Sequence, residues 1–258
     1  AAVTGGNNTA IGKNTLTVLT SGTQNVAVGA NALDANTTAS SNTAIGYNAL
    51  TANTSGTQVV AVGNKSLEAN TTASSNTAIG SNAMQLNTTG HSNVAVGREA
   101  LDANTTANYN TAVGDHALGA NTTGTKNTAV GGTALNSNTT GDFNSALGRS
   151  SLEANTTGEG NTAVGIDALV ANTTADNNTA VGRQALTSNT TGTENVAIGA
   201  KALDANTTAH QNTAVGFEAL TTNTTGASNV AMGTGALQLN TTASNNTAVG
   251  TQALFTNT

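Results

Sequence analysis

Asn127-Thr128-Ala129-Val130-Gly131 returns with small variations every 17 residues, from Gly12 to Gly250, and this spacing decides the fold. Fifteen glycines stand in the series, with no insertion or deletion between them. A fixed period of this size marks stacked structural repeats, each too small to hold a core alone. Positions are therefore counted from the glycine, with Val130 at −1 and Leu135 at +4. Position −1 is Val, Ile, Leu or Met in all 15 repeats, and position −3 is Thr, Val or Ser. These two share one face of an extended strand, and the reading turns them inward, with Val113, Val130 and Val164 in the core.

After the glycine come two variable positions, then Ala, then Leu or Met. Leu118, Leu135 and Leu169 are expected in the core on a second short strand, with the variable +5 residue facing out. Each 17-residue coil thus reads as two strands and two corners. Gly114, Gly131, Gly165 and Gly182 make the first corner, where positive φ or close backbone approach is required. The Asn-Thr-Thr-Gly or Asn-Thr-Thr-Ala stretch makes the second. A helix is excluded because Gly, Asn and Thr recur in every 17-residue window and leave no 3.6-residue apolar stripe.

Asn stands at −4 in 14 of 15 repeats and at +7 in another 14. Amides stacked at β spacing can bond along the stack, so Asn110, Asn127 and Asn161, with Asn121, Asn138 and Asn172, are expected to form ladders at the corners. A weaker 34-residue period overlays the first. Position +10 alternates Gly56, Ala73, Gly90, Ala107, and the alternation lapses around Gly124, Gly141 and Gly158. It reads as duplication of a two-coil unit.

Composition fits such a stack better than a thick core. Aromatics are 2% and charged residues 8%, with no Trp, Cys or Pro, while Asn, Thr, Ser, Gly and Ala dominate. Every charged residue and histidine, and all five aromatics, fall at positions +1, +2, +5, +11 or +12, so chemistry-bearing side chains are confined to variable outward registers. The net charge of −6 is spread along the chain and opposes nucleic acid or an anionic membrane as partner. The longest apolar run, Val59-Val60-Ala61-Val62, is far short of a membrane span, and Ala1 to Thr4 lack a signal-peptide layout. The sequence predicts one all-β domain over 1–258, a parallel β-solenoid of 15 coils about 70 Å long. A pattern that stops in mid-coil at Thr258 reads as an excerpt of a longer fibre.

The repeat Asn-Thr-Ala-Val-Gly, with Asn-Val-Ala-Val-Gly over Asn25 to Gly29, resembles the small-Val-Ala-Ile-Gly motif in the head repeats of YadA-like trimeric autotransporter adhesins. Together with Ala-Leu and Asn-Thr-Thr-Gly it is similar to repeats of phage tail fibres and of bacterial surface fibres. The resemblance covers all 15 coils. It implies a left-handed parallel β-roll, three chains side by side, outside the cell on a bacterial surface or a virion. With a period of 17, longer than that of the adhesin heads, it also implies a larger second corner.

Candidate sites follow the same register. Position −2 is Ala in every repeat, and alternation puts Ala112, Ala129, Ala146 and Ala163 outward as an interchain stripe. The alternative is that this Ala points into a very thin core while the Thr/Val register faces out. No catalytic constellation, phosphate-binding glycine loop or cofactor motif appears. His91 and His210 share a register seven coils apart, too far for one metal ion. Asp34, Glu68, Asp102, Glu153 and Asp204 share position +5 but never in adjacent coils, which speaks against a calcium-binding roll. Thirteen Asn-Thr-Thr or Asn-Thr-Ser acceptor patterns, beginning at Asn36, read as corner chemistry or as N-glycosylation sites. The expected function is an extended structural or adhesive fibre segment, without catalytic activity or cofactor. The alternative is an ice-binding solenoid displaying the Thr rank of Thr111, Thr128, Thr162 and Thr179.

Overall fold

Backbone bonding within a coil of 17 residues is limited to a few turn contacts, so the remaining N–H and C=O groups must pair with the coils before and after it. The computed structural model describes residues 4–257, and the readings of Ala1–Val3 and of the terminus at Thr258 lie outside that range. The fold is an all-β parallel solenoid with a period of 17 residues. Two compact units divide it, Ala1–Lys126 and Asn127–Thr258. The first carries strands β1 (Thr9–Ile11) to β7 (Thr111–Val113), and the second carries β8 (Thr128–Val130) to β15 (Thr247–Val249). Within each unit neighbouring strands pair in parallel at an offset of one repeat, for example Thr162 with Thr179, Ala163 with Ala180 and Val164 with Val181.

The coil around Gly165 shows how the backbone groups are used. Thr162 N–H donates to Asn178 O of the next coil at 2.8 Å, and Gly165 N–H to Leu147 O of the previous one at 2.8 Å. Leu169 N–H donates forward to Ala185 O at 3.0 Å, and Asp167 N–H back to Arg149 O at 3.1 Å. The turns are therefore bonded between coils as the strands are. Gly131 meets both requirements of the first corner. Its φ is 140°, and a Cβ there would stand 2.4 Å from Gly148 O. Gly114, Gly165 and Gly182 repeat the positive φ.

Two expectations are overturned. The Ala-Leu segment is a run of turns, leaving one strand per coil among the described residues. Positions +2, +4 and +12 all have positive φ, as at Asp167 (58°), Leu169 (52°) and Asn177 (58°). A left-handed residue breaks strand alternation, so the consecutive Ala168 and Leu169 both point inward and are fully buried. A left-handed leucine costs about 1–2 kcal/mol, and burying its side chain returns roughly 1.5–3 kcal/mol.

The second correction reverses the strand. Ala112, Ala129, Ala146 and Ala163 are buried, and Val113, Val130 and Val164 lie part-exposed on the opposite face. The cause is volume. The +4 side chains, among them Leu118, Leu135 and Leu169, are fully buried and fill the coil from the turn side. What remains opposite them accepts a methyl group and nothing larger. The stripe of Ala is the strand's contribution to the core and cannot be an interchain surface.

Candidate functional surface

The second corner is held by side chains. Asn127 Nδ2 donates to Gly141 O at 2.8 Å and Asn138 Nδ2 donates to the same oxygen at 3.0 Å. Asn161 and Asn172 converge in the same way on Ala175 O, at 2.7 and 3.1 Å, and Asn110 and Asn121 on Gly124 O, both at 2.9 Å. Both ranks also bond along the stack. Asn172 Nδ2 donates to Asn155 Oδ1 at 2.8 Å, and Asn161 N–H and Nδ2 both donate to Asn144 Oδ1. Each amide thus satisfies a corner carbonyl and a neighbouring coil together, which a fully buried Asn must do.

This bears directly on glycosylation. From Asn36 to Asn240 the +7 asparagines are fully buried and their Nδ2 atoms are committed to the corner. The Asn-Thr-Thr repeats are therefore corner chemistry, and the folded chain offers no amide nitrogen to a sugar at these positions.

The 34-residue alternation has a physical basis. Where +10 is Gly, the carbonyl at +8 of the next coil accepts two N–H groups. Thr88 and Thr89 both donate to Thr105 O, at 2.9 and 3.2 Å. Where +10 is Ala, one longer bond appears, as from Thr105 N–H to Thr122 O at 3.3 Å. A Cβ at Gly90 would meet Ala107 O at 2.3 Å, so the methyl group sets the spacing. The residue after each Ala corner then compensates. Ser40, Ser74, Asn108, Asp176, His210 and Ser244 each accept, through the side chain, the +11 N–H of the preceding Gly coil at 2.7–3.0 Å. Sequence reasoning missed this set, although its signal was present: an acceptor follows the corner Ala in all six coils that have one.

The outward face of the strands carries the residues at −3 and −1. No charged residue occupies either register, and Ile45, Ile79, Leu147, Ile198 and Met232 are exposed there. The eight strands of the second unit spread this face over roughly 400 Å² at β spacing. Six of its eight −3 positions are Thr or Ser, so the face is uncharged and mixed, and its area is that of the largest patch on an ordinary monomer.

The variable registers carry scattered charge. Lys65 lies 3.6 Å from Glu68, and Arg98 lies 2.9 Å from Asp115. Burial pushes the Glu68 carboxyl up, but hydrogen bonds from Gln85 and Asn48 and the Lys65 ammonium outweigh it and hold the group below its ordinary value. Asp102 is raised by burial and by Glu99, with His116 opposing. Its Oδ1 is buried without a partner. Asp204 is raised by burial, with Lys201 opposing and Glu218 reinforcing.

Among the described residues there is no pocket and no group of three His, Asp or Glu side chains placed to hold a metal ion. No helix there is long and apolar enough to cross a membrane. Compared with known proteins, the chain matches no family model and no curated protein.

Proposed function

We propose that this chain is a structural segment of an extracellular fibre, on a bacterial surface or a virion, which holds binding elements away from that surface and carries no reaction. One observation carries the reading. The recurrent chemistry, the amide ladders, corner glycines and alanine-leucine core, is spent inside the stack, and the recurrent outward feature is an uncharged strand face of Thr, Val and Ile. Such a face suits packing against protein. Its occupants in this reading are two further copies of the chain, in a parallel homotrimer assembled on positions −3 and −1. The likeness of the repeat to YadA-like and tail-fibre repeats supports the same arrangement.

Light scattering on the native chain should then give about three times 25.1 kDa. Val164→Arg together with Ile198→Arg should lower that mass while keeping the β content, because both side chains already face outward. A stable monomer of native sequence rejects the trimer, and hydrolase activity in the purified chain rejects the inert fibre.

The same face favours a second reading in one respect. The −3 rank stands outward at strand spacing, and Thr and Val are both β-branched and similar in shape, as an ice-binding face requires. Against it, Leu147 and Met232 stand proud of their Val neighbours and Ser145 interrupts the rank. Thermal hysteresis at micromolar protein would promote ice binding over the fibre.

A further inference from the structure

Five of the six side chains that cap a +11 N–H across a Gly-to-Ala step do so through oxygen, and one does so through an imidazole nitrogen. Thr193 N–H donates to His210 Nδ1 at 2.9 Å, and Thr193 Oγ1 stands 3.0 Å from the same nitrogen. A ring nitrogen accepts only while it carries no proton, so this bond exists only for the neutral ring protonated on Nε2. Serine, asparagine and aspartate oxygens remain acceptors whether or not a proton is added nearby. The other histidines are placed differently. His91 sits on a Gly coil, where its own N–H is capped by Asn108 Oδ1 at 2.7 Å and its ring lies edge-on to Tyr109. His116 faces Glu99 at 3.2 Å.

We infer that His210 is a proton-operated cap, which ties the second corner of its coil to the preceding coil when neutral and releases Thr193 N–H when protonated. The ring is exposed, so a proton reaches it without unfolding. The groups around it allow the released state. Glu194, beside Thr193 on the preceding coil, accepts from Gln211 Nε2 at 3.0 Å and offers an anion to a protonated ring. Asp176 stands one coil further back at the same register, and the following coil presents Ala227 and Ser228, which carry no charge. Protonation therefore meets no opposing cation in these registers, while it turns the acceptor of the Thr193 N–H into a donor that only the Thr193 hydroxyl oxygen can accept. A proton on the ring thus opens one step of the ladder, while the equivalent step between Thr57 and Ser74 has no ring to protonate.

Amide exchange at Thr193, corrected for intrinsic rate and divided by that at Thr57, is the direct test on the intact chain. Between pH 8 and pH 5 the protection ratio of Thr193 to Thr57 should fall about fivefold, the worth of one ordinary hydrogen bond. In His210→Asn, the residue found at the equivalent position 108, the ratio should stay constant at its high value. In His210→Ala it should be low at both pH values, with unchanged far-ultraviolet circular dichroism. A constant ratio in the native chain overturns the proposal. So does an equal fall in His210→Asn, which would assign the titration to another group.

Discussion

At the residue scale the decisive pair is Ala163 and Val164, neighbours on one three-residue strand that face opposite ways. Ala163 is fully buried against the Leu side of the coil, so Ala163→Val adds two methyl groups where none fit and should cost about 1–3 kcal/mol. Val164→Thr on the outward face should change stability by less than about 0.5 kcal/mol in the isolated chain. Urea unfolding of both variants checks the assignment, and equal effects would contradict it. The sequence made the leucines and corner glycines legible because each had one physical use. Strand direction was ambiguous, since Thr-Ala-Val alternates acceptably in either phase. The usual preference for burying the larger apolar residue pointed the wrong way. Only the volume taken by Leu118, Leu135 and Leu169 from the other side settles it, and one-dimensional spacing does not report volume.

At the element scale the unit is a coil with one strand and a chain of left-handed turns. The second strand anticipated over Ala-Leu failed because His116, Leu118, Thr133 and Leu135 adopt positive φ, which no propensity assigns to leucine or threonine. The paired character of the coils, by contrast, was visible as a 34-residue period, and in the structure the two kinds of coil differ at the corner around +10. Adjacent coils never both carry Ala there. Gly90, flanked by Ala73 and Ala107, is where that rule can be tested. Gly90→Ala would place a methyl group 2.3 Å from Ala107 O and 2.5 Å from Asn87 Oδ1, and would strain the paired donation of Thr88 and Thr89 to Thr105 O. A loss of about 1–3 kcal/mol is expected, with faster amide exchange at Thr89. Ala107→Gly should cost only about 0.5–1 kcal/mol, through backbone entropy. Tolerance of Gly90→Ala at full stability would show that the alternation has another origin.

At the scale of the whole molecule, cohesion comes from neutral groups, and the charges are placed so as not to disturb it. The ion pairs among the described residues are exposed or half-buried, which limits each to roughly 0–1 kcal/mol. The three carboxyls displaced from their ordinary values act in opposite directions on stability. Glu68 is lowered in the fold, so its contribution is present above the unfolded value of 4.5 and is lost as pH falls through the folded value. Asp102 and Asp204 are raised, so theirs is present below 3.8 and is lost as pH rises through the folded values. Asp102→Asn and Asp204→Asn should therefore raise the unfolding midpoint at pH 7 and leave it unchanged below pH 3.8, where the native carboxyls are already neutral. Glu68→Gln should lower the midpoint at pH 7 and become silent in acid. Thermal unfolding of the three variants at pH 7 and pH 3 reads the signs directly. A stabilising Glu68→Gln at pH 7 would place that carboxylate outside the Gln85, Asn48 and Lys65 network. A destabilising Asp102→Asn would mean that its buried Oδ1 finds a donor which the charge itself recruits.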